Sequence, residues 1–345
     1  MKSRLNVGVV GMGRMGHVYA NNLAQRVPNA KLVAVADTQA GVAESFANDN
    51  GIPKWYLDAH DLINDKDVAA VVVVAPTSKH GEIVIDAAQS GKAIFCEKPM
   101  STSLEEAEEM LRVIAAKGVF FQAGFQRRFD PGYVAAKKKV DAGEIGTVVL
   151  FQSTSRDPFR PSLDYCDPKV SGGMIPDFGI HDFDLARMYM GEVKSVFAIG
   201  GALAYPELIP LKNIDNAVIS MVFESGALGA VQLSLNGVFG YDIRAELWGT
   251  KGSLTIGYHR ETPLLVMTKE GISYDVVPYF MQRFEKAYVA QIQNFVDSVL
   301  EDRQPAVTGA DGVAAMRISL AANKSYELSR SVAISEIVAE PATKK

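Results

Sequence analysis

The chain has 345 residues, of which 48% are hydrophobic and 22% charged, and its formal net charge at pH 7 is -5. A chain of this length exceeds what one hydrophobic core usually serves, so two domains are expected. The balance of apolar and charged residues is that of an ordinary globular protein and argues against disorder. The acidic surplus offers no attraction for nucleic acid or an anionic membrane, so neither is an expected partner.

The N-terminus and the cysteines favour a cytoplasmic protein. Met1 to Arg4 lead directly into an apolar strand, without a signal-peptide core or a small-residue cleavage site. No run approaches the roughly 20 apolar residues that cross a bilayer. Cys96 and Cys166 are too few for a disulfide framework and lack the spacing of a zinc site, so no metal site is predicted.

The first functional signal is a glycine-rich loop between a strand and a helix. Residues 5–10 form an apolar strand pattern, and a helical pattern follows the loop. Gly11 permits a tight turn, Gly13 lets the backbone approach a pyrophosphate, and Gly16 lets the helix pack closely on the strand. The loop residues expected to contact a dinucleotide are Gly11, Met12, Gly13, Arg14, Met15 and Gly16.

The next strand ends in Asp37, at the distance from the glycine loop where dinucleotide-binding folds place an acid. A carboxylate there accepts hydrogen bonds from the adenosine ribose hydroxyls and repels a 2′-phosphate. Thr38 and Gln39 follow, and no arginine stands beside them to receive that phosphate. NAD is therefore the predicted cofactor, with NADP retained as a secondary one.

Strands and helices continue to alternate up to residue 124, which predicts a parallel sheet covered on both faces. Ligands bind at the carboxyl ends of the strands in such sheets. A lysine that leaves this edge of the sheet would lie beside the nicotinamide, while a histidine in a strand-end loop more often has a structural role. The strand-end residues expected at the cofactor are Pro76, Thr77, His80, Glu97 and Lys98.

From Gly146 onward the pattern changes to long strands, over 147–156, 193–201, 216–223, 227–235 and 243–248. Short turns with glycine join most of them, which predicts an open, largely antiparallel sheet. Because residues 218–223 are apolar on both faces, one face could pack on helices and the other on another subunit. We therefore predict an N-terminal Rossmann domain (residues 1–124) and a C-terminal α+β domain for substrate binding and oligomerisation (residues 125–345).

The segment Ser171 to Leu185 places Asp177 and His181 four residues apart. We expect both on one face of a single helix with Pro176 in its first turn, so that a carboxylate and an imidazole point into the same space. Oxidation of an alcohol needs a base of near-neutral pKa at the hydroxyl oxygen, and His181 fits that role. The alternative is an ordinary ion pair on a helix surface.

Together these motifs resemble the glucose-fructose oxidoreductase and inositol dehydrogenase family over nearly the whole chain. The motifs are Gly11-x-Gly13-x-x-Gly16, Glu97-Lys98-Pro99, Gly172-Gly173 and Asp177-x-x-x-His181-Asp182. The stretches most similar to inositol 2-dehydrogenases include Phe125 to Pro131, Ser155 to Pro158, Ile180 to Asp184 and Gly240-Tyr241-Asp242.

The resemblance implies a catalytic set of Lys98, Asp177 and His181, a cyclic polyol substrate and a homotetramer built through the open sheet. Lys98 would stabilise the developing alkoxide, and Asp177 would bind a neighbouring hydroxyl or orient the imidazole. The expected reaction is the oxidation of an inositol by NAD, with myo-inositol giving its 2-ketone. The candidates for substrate contacts are Arg128, Arg156, Asp157 and Tyr241.

Two other functions stay open. Phe159 and Arg160 stand where inositol dehydrogenases carry small residues and prolines, so an aldose or another pyranose is a second substrate class. A dinucleotide-sensing regulator without enzymatic activity is the third possibility, because a fold does not dictate a function. The intact set of Lys98, Asp177 and His181 argues against the regulator.

Overall fold

The computed structural model describes residues 4–339, and the chain divides into two compact units. One unit combines the described parts of Met1–Phe129 and Ala339–Lys345 with Lys286–Ala314, and the other combines Asp130–Glu285 with Ala315–Val338. Residues 1–3 and 340–345, which the predicted domain bounds include, lie outside the described residues.

Strands and helices alternate through the first part of the chain. They are β1 (Leu5–Val10), α1 (Arg14–Gln25), β2 (Ala30–Ala36), α2 (Val42–Asn50), β3 (Lys54–Tyr56), α3 (Ala59–Asn64), β4 (Ala70–Val73), α4 (His80–Gln89), β5 (Ala93–Glu97), α5 (Leu104–Lys117) and β6 (Phe121–Gly124). The six strands form one sheet in the order β3-β2-β1-β4-β5-β6, and all neighbours are parallel. The predicted Rossmann architecture is confirmed, since this order is that of dinucleotide-binding sheets.

The central strands of this sheet are apolar because both of their faces are buried. Val71, Val72 and Val73 in β4 are each 0% exposed, as expected of a parallel strand covered on both sides. The short edge strand β3, which the sequence pattern did not predict, pairs with β2.

The second part of the chain begins with helices and continues into a larger sheet. Its elements are α6 (Pro131–Asp141), β7 (Val148–Arg156), α7 (Leu163–Cys166), α8 (Pro168–Ser171), α9 (Met174–Phe178), α10 (Ile180–Met190), β8 (Val193–Gly201), β9 (Asn216–Phe223), β10 (Leu228–Ser234), β11 (Asp242–Gly249), β12 (Gly252–Ile256), β13 (Val266–Thr268), β14 (Gly271–Ser273), α11 (Phe280–Arg283), α12 (Glu285–Leu300), α13 (Gly309–Leu328) and β15 (Val332–Ala333). Seven strands join in the order β12-β11-β7-β10-β9-β8-β15, while β13 and β14 form a separate pair.

The larger sheet is mostly antiparallel, as predicted, although β7 and β10 run parallel. Helix α10 packs on β7, whose inward residues Phe151, Ser153 and Ser155 are buried. The opposite face leaves Ile199, at 56% exposed, and Val218, at 47%, uncovered by the described residues. The connection between β8 and β9 is a long loop, residues 202–215, as the predicted strand bounds imply.

Helix α12 packs in the first unit, although it follows the larger sheet in the sequence. Phe295 lies with its ring centroid 5.8 Å from that of Phe95 in β5, and Tyr288 lies 6.0 Å from Tyr19 in α1. The predicted division after residue 124 differs from the observed grouping here, because hydrophobic packing selects partners without regard to distance along the chain.

Candidate active site

The glycine loop after β1 has the shape of a phosphate cradle. Gly11 has φ +95°, and a Cβ there would lie 2.5 Å from the Ala75 amide nitrogen. A Cβ on Gly16 would lie 1.9 Å from the Gly11 carbonyl oxygen, so close packing requires both glycines. A Cβ on Gly13 would meet no atom within 4 Å, and Gly13 caps α1 without a side-chain hydrogen bond. The loop therefore has open space in front of a helix N-terminus, where backbone amides favour an anion.

Asp37 lies beside this loop at the end of β2. Its Oδ2 atom accepts a hydrogen bond of 2.7 Å from the amide of Met12, and its Oδ1 atom accepts one of 2.9 Å from the amide of Gln39. A carboxylate has four lone-pair sites, so capacity remains for ribose hydroxyls. The residues present thus fit NAD.

The strand order, the glycine cradle and the strand-end acid together define a dinucleotide-binding protein of the Rossmann class. The fold brings Gly11, Gly13, Gly16 and Asp37 to the carboxyl ends of β1 and β2. Met12, Arg14 and Met15 belong to the same loop and the first turn of α1.

His80 holds two strand-end loops together. Its Nε2 atom lies 2.8 Å from the Ala75 carbonyl oxygen and its Nδ1 atom 2.9 Å from the Pro99 carbonyl oxygen. The residue is 2% exposed, and burial lowers the pKa of its imidazole. Because both ring nitrogens face backbone carbonyls, the side chain joins the loop that contains Pro76 and Thr77 to the residue after Lys98.

Glu97 and Lys98 end β5, and the Lys98-Pro99 peptide bond is cis. Glu97 is 8% exposed; its Oε1 atom accepts a hydrogen bond from the Tyr19 hydroxyl, and its Oε2 atom accepts one of 2.8 Å from the Lys98 amide. Burial raises the pKa of the Glu97 carboxyl. The sequence predicts that Glu97 contacts the cofactor, and this stays a prediction; each of its two oxygens accepts one hydrogen bond within the protein.

The segment with Asp177 and His181 differs from the prediction of one helix. Helix α9 ends at Phe178, Gly179 interrupts it, and α10 begins at Ile180. The Asp182 amide bonds the Gly179 carbonyl at 2.9 Å, an i to i-3 contact that starts a new helix. The single-helix prediction is wrong, since Asp177 and His181 lie on two successive helices, although Gly179 between them has an ordinary helical φ of -71°.

His181 and Asp182 open helix α10 in a buried position. His181 is 7% exposed and Asp182 is 0% exposed. The Ser155 hydroxyl in β7 lies 3.0 and 2.8 Å from the two carboxylate oxygens of Asp182. This contact anchors the start of α10 to the inward face of the larger sheet.

Two residues that the sequence did not indicate act near Asp177: Tyr165 contacts its carboxylate, and Asn213 bonds the segment before it. The Tyr165 hydroxyl lies 3.3 Å from Asp177 Oδ1. Asn213 donates to the Cys166 carbonyl at 2.6 Å through Nδ2 and accepts from the Met174 amide at 3.1 Å through Oδ1. It therefore clamps both ends of the segment between Tyr165 and α9. The available signal was the long loop before β9, since such loops are often functional.

The four predicted substrate residues have different partners, and their contact with a substrate stays a prediction. Arg128 belongs to the first unit, where it pairs with Asp311 at 3.2 Å. Arg156 bonds Asp242 at 2.7 Å on the face opposite Ser155, because neighbouring residues of a strand point to opposite sides. The Asp157 amide bonds the Ser234 carbonyl at 2.9 Å. Tyr241 is 5% exposed, and its ring meets that of Tyr279 edge-on with 6.0 Å between centroids.

Phe159 and Arg160, which distinguish this sequence from the inositol dehydrogenases, lie in two different environments. Arg160 bonds Glu207 at 2.8 and 3.0 Å, and its guanidinium lies 5.5 Å from the ring centroid of Tyr205. Phe159 is 54% exposed and stacks on Tyr279 with 5.1 Å between centroids. Phe159 therefore presents an aromatic face, while Arg160 anchors the loop.

Residues 4–339 contain neither a metal-binding cluster nor a membrane-spanning helix. No three His, Cys, Asp or Glu side chains lie close enough together to hold a metal ion within that range. Every helix found there is too short or too polar to span a bilayer.

Comparison with known proteins supplies the family. A model of the oxidoreductase family with an NAD-binding Rossmann fold matches residues 5–125, and a GFO/IDH/MocA C-terminal domain model matches residues 133–255. The chain belongs to this family of NAD-binding oxidoreductases, which confirms the predicted resemblance.

Three relatives illustrate the similarity. The chain is 40% identical to the scyllo-inositol 2-dehydrogenase (NAD(+)) of Bacillus subtilis, over 94% of this chain and 95% of the relative. It is 38% identical to the myo-inositol 2-dehydrogenase of Thermotoga maritima, over 97% and 100%. It matches the crystal structure of the Lactobacillus casei scyllo-inositol dehydrogenase with bound NAD(H) and scyllo-inositol, with a TM-score of 0.92, 32% identity and coverage of 96% and 100%.

Proposed function

We propose that the protein oxidises a secondary alcohol of an inositol to a ketone with NAD, with myo-inositol giving the 2-ketone. The observation that carries this proposal is that the chain retains Lys98, Asp177 and His181 while matching inositol dehydrogenases over nearly its full length. Residues 1–124 would bind NAD, and residues 125–345 would bind the polyol and form the oligomer.

In this proposal three side chains take part in the oxidation of the hydroxyl group. NAD, when bound, accepts the hydride that leaves the alcohol carbon. His181 takes the hydroxyl proton at its imidazole, and Lys98 donates a hydrogen bond from Nζ to the developing alkoxide. Asp177 binds a neighbouring hydroxyl or orients the imidazole, and the Tyr165 hydroxyl 3.3 Å away supports its carboxylate.

Burial of His181 strengthens the electrostatic interactions of the proposed site. His181 is only 7% exposed, so charges that develop beside it are less screened than in water. The Lys98 amide is fixed by Glu97, which sets where the lysine side chain leaves the sheet edge. Positioning of this kind accounts for a large part of enzymatic rate enhancement.

We also infer a cytoplasmic homotetramer that associates through the uncovered face of the larger sheet. Ile199, Val218 and Trp248 expose apolar surface there, and such surfaces mark association sites. Light scattering coupled to size-exclusion chromatography measures the assembly. A monomeric mass at micromolar concentration contradicts the tetramer without affecting the proposed chemistry.

The direct test is NADH formation across a panel of cyclic polyols and sugars. The panel contains myo-, scyllo- and D-chiro-inositol, D-glucose and D-galactose, each with NAD and then with NADP. We expect turnover with inositols and a preference for NAD, because Asp37 opposes a 2′-phosphate. The His181→Ala variant is the matched control for background reduction.

One observation supports a second substrate class. The exposed ring of Phe159 could stack on the apolar face of a pyranose, which an inositol site with small residues would lack. A higher kcat/KM for D-glucose than for every inositol would show that the substrate is a pyranose and not an inositol. Tight NAD binding without turnover of any compound would instead favour a dinucleotide-sensing regulator without enzymatic activity.

A further inference from the structure

We propose that Tyr19 and Gln291 are positioning residues for catalysis, acting through the buried carboxylate of Glu97 on the backbone of Lys98. The inference rests on the proposed function, because it assumes that Lys98 contacts the reacting oxygen.

The contacts form one continuous chain within the first unit. Gln291 in α12 donates to the Tyr19 hydroxyl at 2.6 Å, and this hydroxyl donates to Oε1 of Glu97. The other carboxylate oxygen of Glu97 accepts from the Lys98 amide at 2.8 Å. Three elements that are distant in sequence therefore determine the position of the backbone nitrogen of Lys98.

The surroundings leave Glu97 little freedom. Tyr19 and Gln291 are both 0% exposed, and the rings of Phe95 and Tyr288 lie 5.2 and 6.0 Å from that of Tyr19 between centroids. On the neighbouring strand, Gly124 pairs with Glu97. A Cβ on Gly124 would lie 2.9 Å from Glu97 Cα and 3.1 Å from its Cδ, so the missing side chain provides the space for the carboxyl.

A carboxyl in such a place is costly to the fold. Its burial raises the pKa of the group, and the hydrogen bonds from Tyr19 and Lys98 offset that cost only in part. An apolar residue would fill the same space without a polar network. A buried acid next to the proposed catalytic lysine is therefore better explained by orientation of that lysine than by stability.

We call the chain of hydrogen bonds from Gln291 through Tyr19 and Glu97 to the Lys98 amide the relay, and helix α12 contributes its first member. The helix follows the larger sheet in the chain yet supplies Gln291 to the centre of the first unit. Gln293, two residues further on, is directed elsewhere: its Nε2 atom bonds Asn29 at 2.7 Å and Asp297 at 2.8 Å. The two glutamines thus form a matched pair on one helix, and only Gln291 touches the relay.

The test compares Gln291→Leu and Tyr19→Phe with the control Gln293→Leu, using the panel compound that the wild type oxidises fastest. Measured quantities are kcat, KM, the dissociation constant of NADH by fluorescence titration, and the isotope effect on kcat with substrate deuterated at the reacting carbon. We expect kcat to fall about tenfold in both relay variants, with the NADH dissociation constant within about twofold and a larger isotope effect. Gln293→Leu keeps the wild-type kcat.

Rescue by a conservative variant separates positioning from folding. Glu97→Gln can still accept from the Lys98 amide and should retain most of the activity, while Glu97→Ala should lose about a hundredfold. If Glu97→Ala does not fold, the kcat values of Tyr19→Phe and Gln291→Leu test the positioning role. The proposal is overturned when both keep wild-type kcat while Lys98→Ala is inactive, or when Gln293→Leu falls as far as Gln291→Leu. Absence of any wild-type turnover instead refutes the proposed function, and with it the premise of the relay.

Discussion

The segments that hold the two halves of the proposed catalytic set are built in different ways. Lys98 follows a buried parallel strand, and a buried carboxylate bonds its amide. Asp177 sits on a helix of five residues between two glycine-containing connections, and an asparagine from a distant loop clamps the segment before it. The first arrangement depends on a regular sheet, and the second depends on irregular chain held by side chains.

This difference suggests how one fold serves several related substrates. A parallel sheet edge tolerates little change, because its strands and glycines are packed against one another. Loops held by a few hydrogen bonds accept substitutions such as Phe159 and Arg160 while the rest of the fold stays intact. We expect the cofactor side to be sensitive to shape and the Asp177 side to be sensitive to polar contacts.

The largest expected effect is the fall in kcat on removal of a proposed catalytic side chain. Lys98→Ala and His181→Ala should each lower kcat for inositol oxidation by about 10²- to 10⁴-fold, since they remove alkoxide stabilisation and general base catalysis. Steady-state kinetics at saturating NAD measures kcat, and fluorescence titration checks that NADH still binds. Full turnover in either variant contradicts the assigned mechanism.

The glycine loop tests sensitivity to shape. Gly11→Ala should lower the free energy of unfolding by about 2–4 kcal/mol, because φ is +95° and the added Cβ meets the backbone at Ala75. Gly13→Ala should leave stability nearly unchanged yet weaken NAD binding, because its Cβ enters only the open space of the cradle. Urea denaturation and NADH titration separate the two outcomes. Equal stability of the two variants would refute this explanation of the cradle.

The Asn213 clamp tests sensitivity to polar contacts. Asn213→Ala leaves the Cys166 carbonyl and the Met174 amide without their present partner, so we expect kcat/KM for the polyol to fall about tenfold with NADH affinity unchanged. Tyr165→Phe should cost less, about two- to fivefold, since its contact with Asp177 is a single long hydrogen bond. A parallel loss of NADH binding in Asn213→Ala would indicate general unfolding instead.

The smallest expected effect concerns the edge of the parallel sheet. The Lys54 ammonium, with smaller contributions from the Asp67 amide and the Tyr56 hydroxyl, lowers the pKa of Asp65 from 3.8 to about 2. A lowered pKa contributes stability that is present above pH 3.8 and lost as the pH falls through about 2. Asp65→Asn should therefore destabilise the protein by about 1–2 kcal/mol at pH 7, and the difference from wild type should narrow below pH 4.

Urea denaturation at pH 7 and pH 3 measures this narrowing. Asp67 contacts the same ammonium at 2.7 Å, but its side chain is 67% exposed. Asp67→Asn is therefore the matched control, with an expected change near zero. A pH-independent difference between Asp65→Asn and wild type would mean that packing, not charge, explains the effect.

Local patterns in the sequence were enough to predict the first unit up to residue 124, except for the short edge strand β3. Strands buried on both faces read as apolar runs, and the glycine spacing and Asp37 each have one structural meaning in that context. The long strands of the larger sheet were predicted within a residue or so for the same reason, since alternation of side chains is a local property.

Only the tertiary structure placed the polar partners. Nothing in the local sequence pairs Gln291 with Tyr19, Asn213 with Met174, or Arg156 with Asp242. The packing of α12 in the first unit depends in the same way on groups distant in the chain. Periodicity shows which side of an element is buried, but the identity of its neighbour is decided by packing and hydrogen bonding across the whole fold.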